Sequence, residues 1–175
     1  MEYTYIDYPQ MIDNAMRHVV YQVLKDIEQE GLPGEHHFYI SFRTTFPGVK
    51  VSDAVLAKFP EEMTIVLQHQ YTDLRVREDH FAVTLSFGNI PERLVVPYDA
   101  LVAFADPSVK FGLQFYADVD DEAVYEETSE EAVDAFMDRA PANESLEDGD
   151  MPEEKVGDDD DDADKVVTLD AFRKK

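Results

Sequence analysis

Five histidines and a heavy excess of carboxylates are the side chains in this sequence able to transfer protons or ligate a metal. With no cysteine in the chain, thiol nucleophiles, thiolate zinc sites and disulfides are excluded. The histidines are poorly spaced for joint work. His36 and His37 are adjacent at a strand start and so point to opposite sides, His18 lies off an apolar helical stripe, and His69 can meet His80 only across neighbouring strands. The sequence has no paired-histidine zinc helix, no nucleophile elbow, no glycine loop for phosphate and no calcium loop, and seven glycines leave little material for one. The run Asp158 to Asp162 attracts divalent cations only weakly, because it lacks a preorganised cage. Asp120-Asp121-Glu122 and Glu126-Glu127 read as a solvated edge. No catalytic residue, metal site or cofactor is expected, and the chain reads as a non-enzyme.

The formal net charge of -24 sets up a field that repels phosphate backbones and anionic headgroups. Residues 1–117 hold 16 acids against 9 bases, whereas residues 118–175 hold 23 against 6. The first part is a mildly acidic globule and the second is not. Arg43, Lys50, Lys58, Arg75, Arg77, Arg93 and Lys110 are scattered among acids. Tyr39 and Tyr71 have the chemistry to stack single-stranded bases, yet the basic groove that accompanies such platforms is missing, so nucleic acid is the weaker partner. No apolar run approaches the roughly 20 residues of a membrane span, and Met1 to Gln10 lacks the regions of a signal peptide. A soluble, cytoplasmic chain without membrane contact is expected.

The elements that must position any site come from the hydrophobic periods. From Met11 to Ile27 the residues Ile12, Met16, Val19, Val20, Val23, Leu24 and Ile27 recur with the 3.6-residue period of one helical face, stopped by Gly31, Pro33 and Gly34. That stripe suits packing on the domain's own core, or in part against a second copy. The period then changes to two, in Phe38-Ile40-Phe42 and Phe81-Val83-Leu85-Phe87, with further strands at Met63 to Gln70, Leu74 to Arg77, Glu92 to Val96 and Val109 to Tyr116. Tyr98 to Ala105 suits a short helix. The result is an α+β domain: an N-terminal amphipathic helix plus a small β-sandwich or open barrel, over residues 1–117.

Residues 118–139 form a transition segment, in which Thr128 and Glu131 make a capping box ahead of Ala132, Val133, Phe136 and Met137. Residues 140–164 hold too little apolar surface to offset their ordering entropy and read as a disordered acidic linker. The composition then switches to an apolar and basic peptide over residues 165–175. Eleven residues do not fold alone, and a solvated tail has no core that requires Val, Leu and Phe. A linear motif that docks on another protein accounts for them.

At Phe46-Pro47-Gly48-Val49-Lys50-Val51, Ile65-Val66-Leu67, Phe87-Gly88-Asn89-Ile90-Pro91 and Val95-Val96-Pro97, the chain resembles the SspB family, stringent starvation protein B. It carries those turns in that family's order, with a helix before and an acidic tail after. It departs from the best-known branch in a polar helix-to-sheet region and in ending Phe-Arg-Lys-Lys. The resemblance implies a non-catalytic homodimeric adaptor that captures proteins bearing the ssrA degradation tag and delivers them to the protease ClpXP. It assigns the dimer interface to the first helix, hence Ile12, Met16, Val19, Val20 and Val23. It assigns docking on the N-terminal domain of ClpX to Val166, Val167, Leu169, Phe172, Arg173 and Lys174.

An extended tag needs a groove whose pockets read side chains while polar groups satisfy its backbone. Gln68 and Gln70, on one face of a strand with Tyr71, supply amides that both donate and accept. With Phe46, Val49, Val51 and Phe87 they are the expected tag-binding residues. A single-strand RNA-binding β domain and a nonspecific acidic holdase are the alternatives.

Overall fold

The computed structural model describes residues 5–115 together with residues 134 and 142. Helix α1, Tyr8–Glu30, runs three residues beyond the periodic pattern at each end. Asp7 caps it by accepting the Gln10 N–H at 3.0 Å, and a proline sits in its first turn. Gly31, at φ +80°, ends it while donating its N–H to the Ile27 carbonyl at 3.0 Å.

Strand β1, Phe38–Arg43, leads through a turn to a one-and-a-half-turn helix α2, Asp53–Lys58. Six strands follow: β2, Glu62–Leu67; β3, Tyr71–Val76; β4, His80–Phe87; β5, Ile90–Pro97; β6, Leu101–Asp106; and β7, Phe111–Gln114. All pairings are antiparallel, in two sheets ordered β2-β1-β6-β7 and β3-β4-β5. Their inner faces and α1 share one core, in which Phe42, Phe81, Phe104, Leu24 and Ile40 are nearly inaccessible to solvent. Truncating one of those phenylalanines to Ala removes about 3–5 kcal/mol. The α+β reading of the sequence holds.

Two local expectations are corrected. The strand expected to run from Met63 to Gln70 stops at Leu67, and Gln68 to Gln70 form the bend into β3. The helix expected over Tyr98 to Ala105 is one 3-10 turn, Tyr98–Ala100. Beyond it Leu101–Asp106 is β6, an inner strand hydrogen-bonded to β1 on one side and β7 on the other. Those two ladders outweigh the helical propensity of its alanines. Helix α2 was not expected. Its signals are Ser52, whose hydroxyl accepts the Val55 N–H at 3.3 Å, Asp53 in the first turn and Lys58 in the last.

The stripe on α1 divides. Val20, Leu24 and Ile27 lie in the core, but so do Asp13 and Arg17. Arg17 Nε donates to Asp13 Oδ2 at 2.6 Å, its NH1 donates to the carbonyls of Tyr98 and Leu101, and its guanidinium stacks 4.7 Å over the Phe115 ring. One buried cation therefore ties α1 to the start of β6 and the end of the β-domain. Ile12 and Val19 are 43% and 41% exposed, with Met16 and Val23 half-buried beside them.

In β3 a bulge centred on Asp73, at φ +49°, resets the alternation so that Tyr71, Leu74 and Val76 all face inward. The Asp73 carboxylate binds Arg75 at 3.1 Å and Arg93 of β5 on the outer face. The expected segments 118–139, 140–164 and 165–175 lie outside the described residues, except at two positions. Asp134 is helical and exposed, and Ala142 is 1% exposed with its N–H on the Thr64 carbonyl of β2 at 2.7 Å.

Candidate functional site

The turn before α2 is built around Gly48, whose φ of +92° favours glycine and whose Cβ, if it had one, would meet Pro97 Cγ at 3.1 Å. Val49 donates its N–H to the Phe46 carbonyl at 3.1 Å, closing the turn. Lys50 and Val95 then exchange backbone hydrogen bonds of 3.0 and 2.9 Å, which fasten the segment to β5. Phe46, Val49 and Val51 are half-buried against the core, so they are walls with one side accessible.

Held in this way, α2 lies over the β4–β5 hairpin and leaves a cleft of about 90 Å³ lined by Ala54, Val55, Lys58, Phe59, Phe87, Ile90 and Glu92. Five of the seven are apolar, with an ammonium and a carboxylate beside them. Ile90, at 61% exposure, is the most accessible of the larger apolar residues, and Phe87 at 6% is part of the floor. Such a cleft accepts one apolar side chain of an extended peptide, and the two charges offer partners to its backbone or termini.

The residues expected to bind a tag are partly brought together. Phe87 is in the cleft. Tyr71 faces Leu85, two residues before Phe87, so Tyr71 and Phe87 share the inner face at one end of the three-stranded sheet. Burial pushes the Tyr71 hydroxyl's pKa up, and a hydrogen bond to the Leu32 backbone works the other way. That bond and its contact with the core make Tyr71 a fixed wall. Gln68 and Gln70 are in the bend, the first half-buried and the second exposed, so the shared strand face argued for them does not exist. Sequence reasoning missed Ala54, Val55, Lys58, Phe59, Ile90 and Glu92, and the capping signals at Ser52 and Asp53 were the available clue to the α2 members.

One cluster resembles a hydrolytic triad. Asp106, 4% exposed, accepts from the Ser108 N–H and lies 2.5 Å from His36 Nδ1, and Ser108 Oγ is 3.2 Å from the same nitrogen. A relay needs acid and nucleophile on opposite ring nitrogens. Here both meet Nδ1, so the imidazole cannot pass a proton between them, and the cluster ties the entry to β1 to the end of β6. His69 is exposed in the bend, while His80 pairs with Asp79 at 2.7 Å. Among the described residues no group of three potential metal ligands converges, and no helix is long and apolar enough to cross a membrane.

The family model described as SspB, stringent starvation protein B, matches residues 10–168. The match runs from within α1 through the acidic stretch and into the apolar terminal peptide. No curated protein was found to match the chain.

Proposed function

The chain belongs to the SspB family, whose members are adaptors in protein degradation, and on that premise we propose that it binds ssrA-tagged proteins and delivers them to the cytoplasmic protease ClpXP. The observation that supports this reading is the extent of the match, which runs from the domain bearing an apolar cleft to residue 168, in the first part of the terminal peptide. The tag's apolar residues enter the cleft between α2 and the β4–β5 hairpin, with Ile90 and Phe59 as contacts and Lys58 and Glu92 as polar partners. Phe46, Val49, Val51 and Tyr71 support the cleft from the core side, and Gln68 and Gln70 stand at the same end of the sheet.

Val166, Val167, Leu169, Phe172, Arg173 and Lys174 dock on the N-terminal domain of ClpX. With the tag held by the body, the second contact becomes intramolecular, and two weak contacts combine. The exposed Ile12 and Val19 and the half-buried Met16 and Val23 of α1 recur at spacings of four, three and four, the seam of a two-helix contact. They make the homodimer interface, and two tails per particle raise the avidity further. Val20, buried in its own chain, takes no part in that seam.

Anisotropy of a labelled ssrA peptide tests the reading. Saturable binding, weakened at least tenfold by Ile90→Asp without a change in Tm, is expected. Absence of binding to the parent protein overturns tag recognition, and equal binding by the variant overturns the cleft. Leu169→Ala with Phe172→Ala is expected to keep peptide binding and lose stimulated degradation of a tagged substrate by ClpXP.

A further inference from the structure

One inward-facing position of β5 breaks the pattern of its strand. Ile90, Glu92, Leu94 and Val96 alternate on the side turned toward the core, where Leu94 and Val96 are 0% exposed. Glu92 puts a carboxylate where the other three put apolar side chains, and it stands opposite Leu85 of β4, which is 1% exposed. It is partly buried and lines the cleft with Phe87 and Ile90. Lys58, in the last turn of α2, lines the same cleft from the helix side and is exposed.

Among the described residues, neither of these two side chains makes an ion pair or a hydrogen bond, with the other or with a third group. The helix C-terminus favours a cation at Lys58. Glu92 has no such compensation, and a carboxylate on the core side of a strand costs free energy that an apolar residue would not.

An unpaired carboxylate in an apolar wall acts on ligands in two ways. It rejects a plain apolar segment, which would cover the charge without donating to it, and it favours a segment that brings a cation or an amide. Lys58 makes the converse choice and favours a carboxylate. In an extended peptide, the residues two positions to either side of an apolar anchor share its face, about 7 Å from it. That spacing lets one flank meet α2 and the other meet β5 while the anchor fills the cleft.

We propose that the cleft selects an extended peptide by its charge pattern: an apolar anchor over Phe87, an acidic side chain on the α2 side for Lys58, and a cationic or amide side chain on the β5 side for Glu92. The order of the charges then fixes the direction in which the peptide lies. Such a site differs from a nonspecific holdase, which takes apolar segments whatever flanks them. The inference rests on the tag-binding reading for the identity of the ligand, whereas the charge selection belongs to the cleft itself.

Four fluorescent peptides, blocked at both ends and built in a Gly-Ser host, separate the charge pattern from the tag. The first carries Asp two positions before a Leu and Lys two positions after it, and the second exchanges the Asp and the Lys. The third has Asn and Gln in their places, and the fourth has Asp in both. By anisotropy, one of the two mixed-charge orders is expected to bind about fivefold or more tightly than the other three peptides. Glu92→Gln is expected to remove most of that preference, and Lys58→Glu with Glu92→Lys to invert it, with urea midpoints showing that each variant is folded. Equal binding of all four peptides, or binding of none, overturns the proposal. A preference that the charge-swapped variant leaves uninverted overturns the assignment to Lys58 and Glu92. The labelled ssrA peptide is titrated in parallel. A charge preference without ssrA binding sinks the adaptor reading and leaves the selection standing, and ssrA binding without a charge preference does the reverse.

Discussion

The two sides of α1 reverse the usual distribution of side chains. The side against the domain holds an aspartate and an arginine beside Val20, Leu24 and Ile27, whereas Ile12 and Val19 are exposed to solvent, with Met16 and Val23 half-buried between the two sides. The buried ion pair survives because Arg17 has acceptors in addition to Asp13, namely two carbonyls where the chain turns into β6 and a ring face at Phe115. Those contacts offset part of the desolvation and fix the rotation of the helix about its axis. With the rotation fixed, the apolar seam faces outward. The difference between the sides teaches that the same polar lock that holds the helix on its domain also turns outward the apolar side proposed for a second copy.

Breaking the lock gives the largest expected effect. Arg17→Ala removes the cation beside the buried Asp13 carboxylate and the donor to two carbonyls, and should lower stability by about 3–5 kcal/mol, read as a shift in urea midpoint at unchanged m-value. Replacing both partners, Asp13→Leu with Arg17→Met, should recover much of that. About 1–3 kcal/mol should stay lost because the Tyr98 and Leu101 carbonyls lose their donor. If the single and double variants are equally unstable, the cost lies in the carbonyl contacts and not in the Asp13–Arg17 charge pair.

The opposite side answers to a different measurement. Ile12→Glu with Val19→Glu puts charges on the exposed Ile12 and Val19 positions and should convert the proposed dimer to a monomer in sedimentation, with folding stability of the monomer changed by about 0.5 kcal/mol or less. An unchanged sedimentation coefficient would move the interface elsewhere. A smaller effect is expected just beyond the lock. The Tyr98 hydroxyl is buried without a hydrogen-bond partner among the described residues, and burial first, then the neighbouring Tyr21, Glu28 and Asp79, raises its pKa. Tyr98→Phe should therefore be neutral or stabilise by up to about 1 kcal/mol.

These contrasts explain what the sequence disclosed. Alternation in Phe38-Ile40-Phe42 and Phe81-Val83-Leu85-Phe87 located strands, because one side of each packs on the core. The period of α1 located the helix but merged its two sides, since Val19 and Val20 are both apolar and hydropathy assigns Asp13 and Arg17 to water. Only their distant acceptors, Tyr98 and Leu101, reveal that they are buried. The bend at Gln68 to Gln70 follows β2 without a glycine or proline to mark it, so the glutamines looked like strand. Helix α2 is too short for a period. The cleft is assembled from α2, β4 and β5, which are joined by tertiary contacts such as the Lys50–Val95 bridge and by no local pattern.

A second, weaker tie on the same helix shows how far the lock acts alone. Glu28, near the end of α1, accepts from Lys25 at 2.7 Å and from the Val76 N–H of β3 at 3.0 Å. The Lys25 hydrogen bond first, then the Val76 N–H, holds its carboxyl below the ordinary value of 4.5. A group depressed in the folded state adds stability above its unfolded pKa and loses it as pH falls through the folded one. Glu28→Gln should thus lower stability by about 0.5–1.5 kcal/mol at pH 7. The gap from the parent, followed by urea midpoints, should hold down to about pH 5.5 and close as pH falls below 4.5. The glutamine oxygen still accepts the Val76 N–H, so what titrates is the ionic share of the tie. A gap that stays constant with pH would mean that the carboxylate's charge adds nothing, and that Arg17 is the charge that seats α1 on the domain.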